Sequence, residues 1–218
     1  MFDPVQRYQG FISDIVGDAM LALWTAAKKD NSLINKACLA TLAIRETVDN
    51  FNNNQQYPLP TRFGMHAGQI RLGNIGSASR FEYRPVGDCV NTSNRIERLN
   101  KVLGTHLLIS EEVVPNEQVC VTRHVGSFLL AGKSKPLDLY QLIGKPSQVT
   151  DTQLEMYQLF DQALIAYTEG NLEHAHYLFD IVLQHFPTDG PTMFYYQRCV
   201  CYLSDPEKTE AWTPIVRL

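Results

Sequence analysis

Apolar and polar positions follow two rhythms along this chain, and the change of rhythm divides it. Up to about residue 144 short alternating runs dominate, interrupted by two helical stripes. Phe11-Ile12-Ser13-Asp14-Ile15-Val16 and Ala19-Met20-Leu21-Ala22-Leu23-Trp24 flank Gly17-Asp18, which predicts a β-hairpin over 11–24. Leu33, Ile34, Ala37, Ala40, Thr41, Ile44, Val48 and Phe51 recur at helical spacing and predict a core-facing helix over 33–51. A polar loop, Asn52 to Gln56, then runs to Pro58 and Pro60.

Residues 61–75 and 80–87 predict two strands joined by Gly76-Ser77-Ala78-Ser79. Asp88 suits the N-cap of a second helix, with Val90, Ile96, Leu99 and Val102 as its stripe and Gly104 as its stop. Short strands follow at 106–110, 119–121, 126–130 and 137–142. Strands alternating with two long helices specify an α+β sandwich, helices packed on one sheet. Residues 145–151 read as a linker. Beyond them helical spacing takes over, at 154–167, 172–185 and from 193 to 203. The tail, 205–218, reads as mostly irregular with Trp212 packed back.

Composition narrows the function classes. In 218 residues, 44% are hydrophobic, enough for a packed core. A net charge of −4 gives no basic footprint, so nucleic acid is not an expected partner. No apolar run reaches membrane-spanning length, and Met1 to Arg7 lacks a signal-peptide core, so no membrane contact is expected. The five cysteines have no CxxC spacing and read as small buried thiols in a reducing compartment. Cys199 and Cys201 point to different faces of one helix.

Candidate chemistry gathers at the second helix. Asn91 and Arg95 are four apart and project side by side. A carboxamide and a guanidinium near a helix N-terminus suit a polyphosphate, though the same residues also suit a plain surface helix. Asp18 sits in a turn, where a carboxylate can face solvent or a cation. His66, a lone strand histidine, is given no role.

Several segments occur in a telling order: Gly17-Asp18-Ala19-Met20, Arg62-Phe63-Gly64-Met65-His66-Ala67-Gly68, Leu72-Gly73-Asn74-Ile75-Gly76, Phe81 to Arg95, Leu99-Asn100-Lys101 with Gly104-Thr105, and Leu130 to Pro136. Together they resemble the catalytic domain of class III adenylate and guanylate cyclases over residues 1–144. The resemblance implies a ferredoxin-like palm and conversion of ATP, less readily GTP, to a 3′,5′-cyclic nucleotide and pyrophosphate. It implies that Asp18 is the second of two metal aspartates holding a pair of Mg²⁺ or Mn²⁺ ions. Asn91 would orient the ribose, Arg95 would stabilise phosphate charge, and Lys133 would grip the polyphosphate. Such sites form between two antiparallel domains, so a homodimer or a second cyclase domain is the implied partner, in the cytoplasm or on the cytoplasmic side of a longer membrane-bound protein.

Two departures shape the expectation. The strand carrying the first metal aspartate is not found among the sixteen residues before Gly17. The domain is therefore expected to be N-terminally truncated and inactive by itself. The alternative is a non-catalytic remnant serving dimerisation or interaction. The base-selecting positions hold Asp14 and Arg84, a charge-exchanged version of the Lys/Asp pair common in adenylate cyclases. Asp14 and Arg84 either read a purine, adenine preferred, or form a salt bridge that touches no base. A diguanylate cyclase is disfavoured because no Gly-Gly-Asp-Glu-Phe-like turn occurs.

In the segment 152–204, Ala163, Gly170, Ala175, Phe179 and Pro187 resemble a tetratricopeptide repeat, with about one and a half repeats present. So short an array cannot bury its own apolar face and should dock on the cyclase part or on a partner. It reads equally as a plain helical cap or as a groove for a protein partner.

Overall fold

The computed structural model describes residues 1–28, 30–77 and 80–217. After a short helix α1 (Phe2–Arg7), strands β1 (Phe11–Val16) and β2 (Ala19–Leu23) form the expected hairpin about Gly17-Asp18. The long helix α2 (Asn31–Asn52) starts where Asp30 accepts a hydrogen bond from the Ser32 amide. Its stripe is buried from Ala37 to Val48, while Phe51, expected in the core, is half-exposed in the last turn.

The single strand expected over 61–75 is two strands in different sheets. β3 (Phe63–Met65) lies parallel to β6 (Leu107–Ser110), whereas β4 (Arg71–Ser77) pairs antiparallel with β5 (Arg80–Val86) as a separate ribbon. Of the four residues expected as their connection, Gly76 and Ser77 are part of β4, and Ala78 and Ser79 lie outside the described residues. Between β3 and β6 runs helix α3 (Asp88–Leu103), the crossover that a parallel pair requires. β7 (Val121–Leu129) and β8 (Leu137–Gly144) complete a sheet of order β3-β6-β8-β7-β9, with β9 (Val216–Arg217) parallel to β7. The tail is thus partly ordered, because Val216 is buried against Phe128 on that edge.

Neighbouring β6 residues face opposite layers. Leu107 and Ile109 pack with Cys38 and Leu42 of α2, while Leu108 joins Ile96, Leu99 and Leu103 of α3. The α3 stripe differs from expectation by one position: Val102 is half-exposed and Leu103 is buried, which keeps Thr92, Ile96, Leu99 and Leu103 on one face. Each fully buried Leu, Ile or Phe contributes about 1.5–3 kcal/mol.

α3 is pinned to β3 with unusual closeness. A Cβ on Gly64 would come within 2.3 Å of the Glu97 amide nitrogen and the Ser93 carbonyl, so only glycine lets helix and strand meet there. Buried Asn100 donates to Phe63 O at 2.9 Å and accepts from Thr105 Oγ1 at 2.9 Å, fixing the far end of the helix.

Helices α4 (Asp151–Thr168), α5 (Leu172–His185) and α6 (Gly190–Leu203), with the short α7 (Pro206–Glu210), form the C-terminal segment. α4 begins at Asp151, three residues before the predicted start, because Thr150 and Gln153 make a reciprocal capping box. These helices are docked. Phe160, Tyr167, Phe179 and Tyr195 share one core with α3, β6, β7 and β8. Arg123 of β7, fully buried, meets Asp189 at 3.0 and 3.1 Å and Gln141 at 3.0 Å, with Phe160 4.6 Å below its guanidinium. Asp189 also caps α6. Trp212 packs back, edge-on to Tyr167 at 5.8 Å.

The N-terminal hairpin stands apart. A third, smaller core of Val5, Ile44 and Val48, with Ile12, Met20, Ala22, Trp24 and Phe63 against it, ties it to α1 and α2. Among the described residues β2 pairs with β1 alone, and β3 is the edge of the five-stranded sheet.

Candidate active site

Gly87 precedes α3 with an extended backbone, and Asp88 is the first helical residue, not its N-cap. The Asp88 carboxylate does not cap the helix and instead accepts a charge-assisted hydrogen bond from the Lys133 ammonium. That bond holds the Asp88 carboxyl below the usual carboxylate range, with the nearby charges of Lys133 and Arg95 adding to it. Asp88, Asn91 and Arg95 are spaced by three and four residues, so one face of α3 carries all three. Asn91 is exposed and Arg95 half-buried. The Arg95 Nη1 atom is shielded from solvent with no hydrogen-bond partner among the described residues.

Lys133 comes from the turn between β7 and β8. Gly132 there has φ of +69°, a conformation that favours glycine, and a Cβ on it would lie 3.3 Å from Arg95 Nη2. The Arg95 guanidinium therefore packs on the bare backbone of the turn that delivers Lys133. Arg95 and the turn that carries Lys133 meet at one end of α3, and Asn91 lies on the same helix face by its spacing.

His66, given no role from the sequence, lies under this end. Its Nδ1 is 2.8 Å from Ser110 Oγ and 3.5 Å from the Glu112 carboxylate, and its carbonyl accepts from Cys89 Sγ at 3.5 Å. Burial lowers the His66 pKa, and the Glu112 charge opposes that shift. Through the Ser110 contact the histidine ties the end of β3 to β6. Nothing local to it in the sequence signalled Ser110 or Glu112, more than forty residues away.

The second predicted pair also meets. Arg84 Nη2 is 3.2 Å from Asp14 Oδ2, with both side chains partly exposed. An irregularity in the β1–β2 register between Ile12 and Asp14 re-aims that part of β1. Asp18 is exposed at the hairpin turn. Among the described residues no group of three or more His, Cys, Asp or Glu side chains gathers as around a metal ion. Asp18 is suited to one ligand position by its chemistry, but the described residues of this chain do not by themselves fit a two-ion site.

A family model described as the adenylate and guanylate cyclase catalytic domain matches residues 6–144. The chain is 34% identical over 156 residues to Adenylate cyclase 1 of Rhizobium meliloti (strain 1021), covering 69% of this chain and 24% of that protein. It spans less than a third of the length of the first curated relatives it matches. Among solved structures, the adenylyl cyclase CyaB from P. aeruginosa superposes with a TM-score of 0.57 at 21% identity, over 68% of this chain and 79% of that one. The guanylyl cyclase Cya2 superposes with a TM-score of 0.54 at 24% identity, over 68% and 78%. These two show a shared fold. Among the described residues no helix is long and apolar enough to cross a membrane.

Proposed function

Because the chain belongs to the class III adenylate and guanylate cyclase family, with its catalytic domain matched over residues 6–144, we propose that it provides the triphosphate-binding half of a nucleotide cyclase site. The observation that carries this reading is the meeting of Arg95 and Lys133 through the Gly132 turn, beside Asn91 on the same helix face. Two cations held at a helix N-terminus favour a polyphosphate before any chemistry begins. In the cyclase reaction the ribose 3′-hydroxyl attacks the α-phosphorus and pyrophosphate leaves. Asn91 positions the ribose, Arg95 stabilises charge growing on the phosphates, and Lys133 holds the departing polyphosphate. Stabilisation of this kind, from groups fixed beforehand, is the main protein contribution to such chemistry.

Divalent ions, Mg²⁺ or Mn²⁺, supply charge neutralisation and activation of the hydroxyl when bound. Asp18 is the carboxylate this chain offers to one of them, and among the described residues no group of three or more His, Cys, Asp or Glu side chains gathers around it. Catalysis by this polypeptide alone is accordingly weak or absent. The complete site is read as forming in a dimer, with a second copy or another cyclase domain, in the cytoplasm where the triphosphates are. ATP is the preferred substrate over GTP, with Asp14 and Arg84 as base-reading candidates. The tetratricopeptide-like helices are read as a cap docked on the cyclase core.

The test is titration of the purified chain with ATP and GTP in Mn²⁺, together with assays for cyclic AMP and cyclic GMP. Triphosphate binding that weakens in folded Arg95→Ala and Lys133→Ala variants is the expected result. Binding indifferent to both substitutions would remove the site. Robust turnover by the chain alone, abolished in Asp18→Ala, would overturn its proposed inactivity.

A further inference from the structure

We propose that Asp88 is a built-in competitor for the triphosphate, holding Lys133 in a resting ion pair that incoming phosphates must displace. This rests on the polyphosphate reading of Arg95 and Lys133. The pair joins two parts of the site: Asp88 opens α3, and Lys133 lies in the β7–β8 turn. The Lys133 side chain is 17% exposed, so its ammonium is directed by its buried stem toward the α3 face. Asp88 is 73% exposed, so an anion arriving from solvent can reach the contact and replace the carboxylate. Asp88, Asn91 and Arg95 share that face, which places the competing carboxylate among the residues read as binding phosphate and ribose.

The capping geometry leaves this role open to Asp88. No side chain caps α3, and the carboxylate is turned to Lys133. A negative charge there balances one of two cations, so the site at rest avoids having both unneutralised. The cost falls on binding: phosphate must break the Asp88 contact and tolerate the freed carboxylate nearby.

Inorganic tripolyphosphate with Mg²⁺ is the probe, since it lacks base and ribose, and its affinity is read by calorimetry at low and high salt. Asp88→Asn and Asp88→Ser, each checked for unchanged helicity, are expected to bind about three- to fivefold tighter at low salt. That gain should shrink at high salt, where exposed charges are screened. Asp88→Glu, which keeps the anion, should bind as the unsubstituted chain does. In a Lys133→Met background the gain from Asp88→Asn should be smaller, because the pair is already gone. Equal or weaker binding by both Asp88→Asn and Asp88→Ser overturns the proposal, as does a gain undiminished in the Lys133→Met background. If Arg95→Ala and Lys133→Met weaken binding while the Asp88 variants do not tighten it, the polyphosphate reading survives and the competitor role falls. If no protein binds tripolyphosphate, or Arg95→Ala and Lys133→Met change nothing, both fall.

Discussion

The two sides of the candidate site are built to different standards. α3 and the β7–β8 turn, which carry Asn91, Arg95 and Lys133, rest on a core continuous with the C-terminal helices. β1, which carries Asp14, and β2, joined to it by the turn that carries Asp18, form a two-stranded ribbon over a small core, with Ile15 and Val16 exposed. A phosphate-gripping arrangement gains from rigidity, because its donors must already be in place when charge develops. Among the described residues β2 pairs with β1 alone, so the hairpin side is the less braced of the two. Stability on one side and openness on the other is a division that experiments can break.

The largest effect should come from the latch beneath the rigid side. Asp189→Ala removes the partner of a fully buried arginine and the cap of α6 together. Stranding such a charge costs about 3–5 kcal/mol, to be read by urea unfolding. A loss below 1 kcal/mol would mean that the helices are not held to the sheet through Arg123.

Matched truncations then compare the two cores directly. Leu103→Ala opens a cavity where α3 meets the large cluster, and Ile44→Ala opens one in the small cluster beside the hairpin. Large-to-small changes of this kind cost about 2–5 kcal/mol according to how far the surroundings relax. Leu103→Ala should fall at the upper end and Ile44→Ala at the lower. Amide exchange should agree, with β1 and β2 exchanging faster than β6 and β8. The reverse order would refute the contrast.

The same contrast governs what the sequence disclosed. Local signals carried the β1–β2 hairpin, α2, α3 and the three C-terminal helices, because turn residues and periodicity act over a few positions. The grouping of Asn91 with Arg95 was legible from helical spacing, and the Asp14–Arg84 contact was reached through the family resemblance. Long-range pairing was not legible. Residues 61–75 looked continuous because nothing local shows that β3 chooses β6 while β4 chooses β5. Asp88 looked like a cap because Lys133, its actual partner, is forty-five residues away. Arg123 drew no notice in the sequence, since its neighbours Asp189, Gln141 and Phe160 come from three other elements. The order within 205–218 likewise depends on the β7 edge.

A pH experiment probes the ground under the site. Burial lowers the His66 pKa in the folded chain, so the unfolded chain binds the proton more readily. Stability from this group is therefore full above the ordinary histidine value, about 6.5, and declines as pH falls through it. Urea unfolding at stepped pH should show that decline, and His66→Gln should flatten it. An unchanged slope in the variant would assign the acid sensitivity to other groups.

The smallest stability effect, and the sharpest question, belongs to Asp14 and Arg84. Their contact is partly open to water, so the ion pair itself should contribute about 0–1 kcal/mol. If they serve only each other, Asp14→Lys with Arg84→Asp restores a pair of opposite charges and leaves nucleotide preference where it was. If they read a purine, the exchange reverses donor and acceptor at the base edge. The double variant then shifts the ATP-to-GTP binding ratio, and each single variant weakens binding. Competition between the two triphosphates, measured on the unsubstituted chain and the three variants, separates these outcomes. A ratio constant across all four would leave the pair as a clasp between β1 and β5. A shift confined to the double variant would place base recognition on the less rigid side of the molecule, opposite the fixed grip on phosphate.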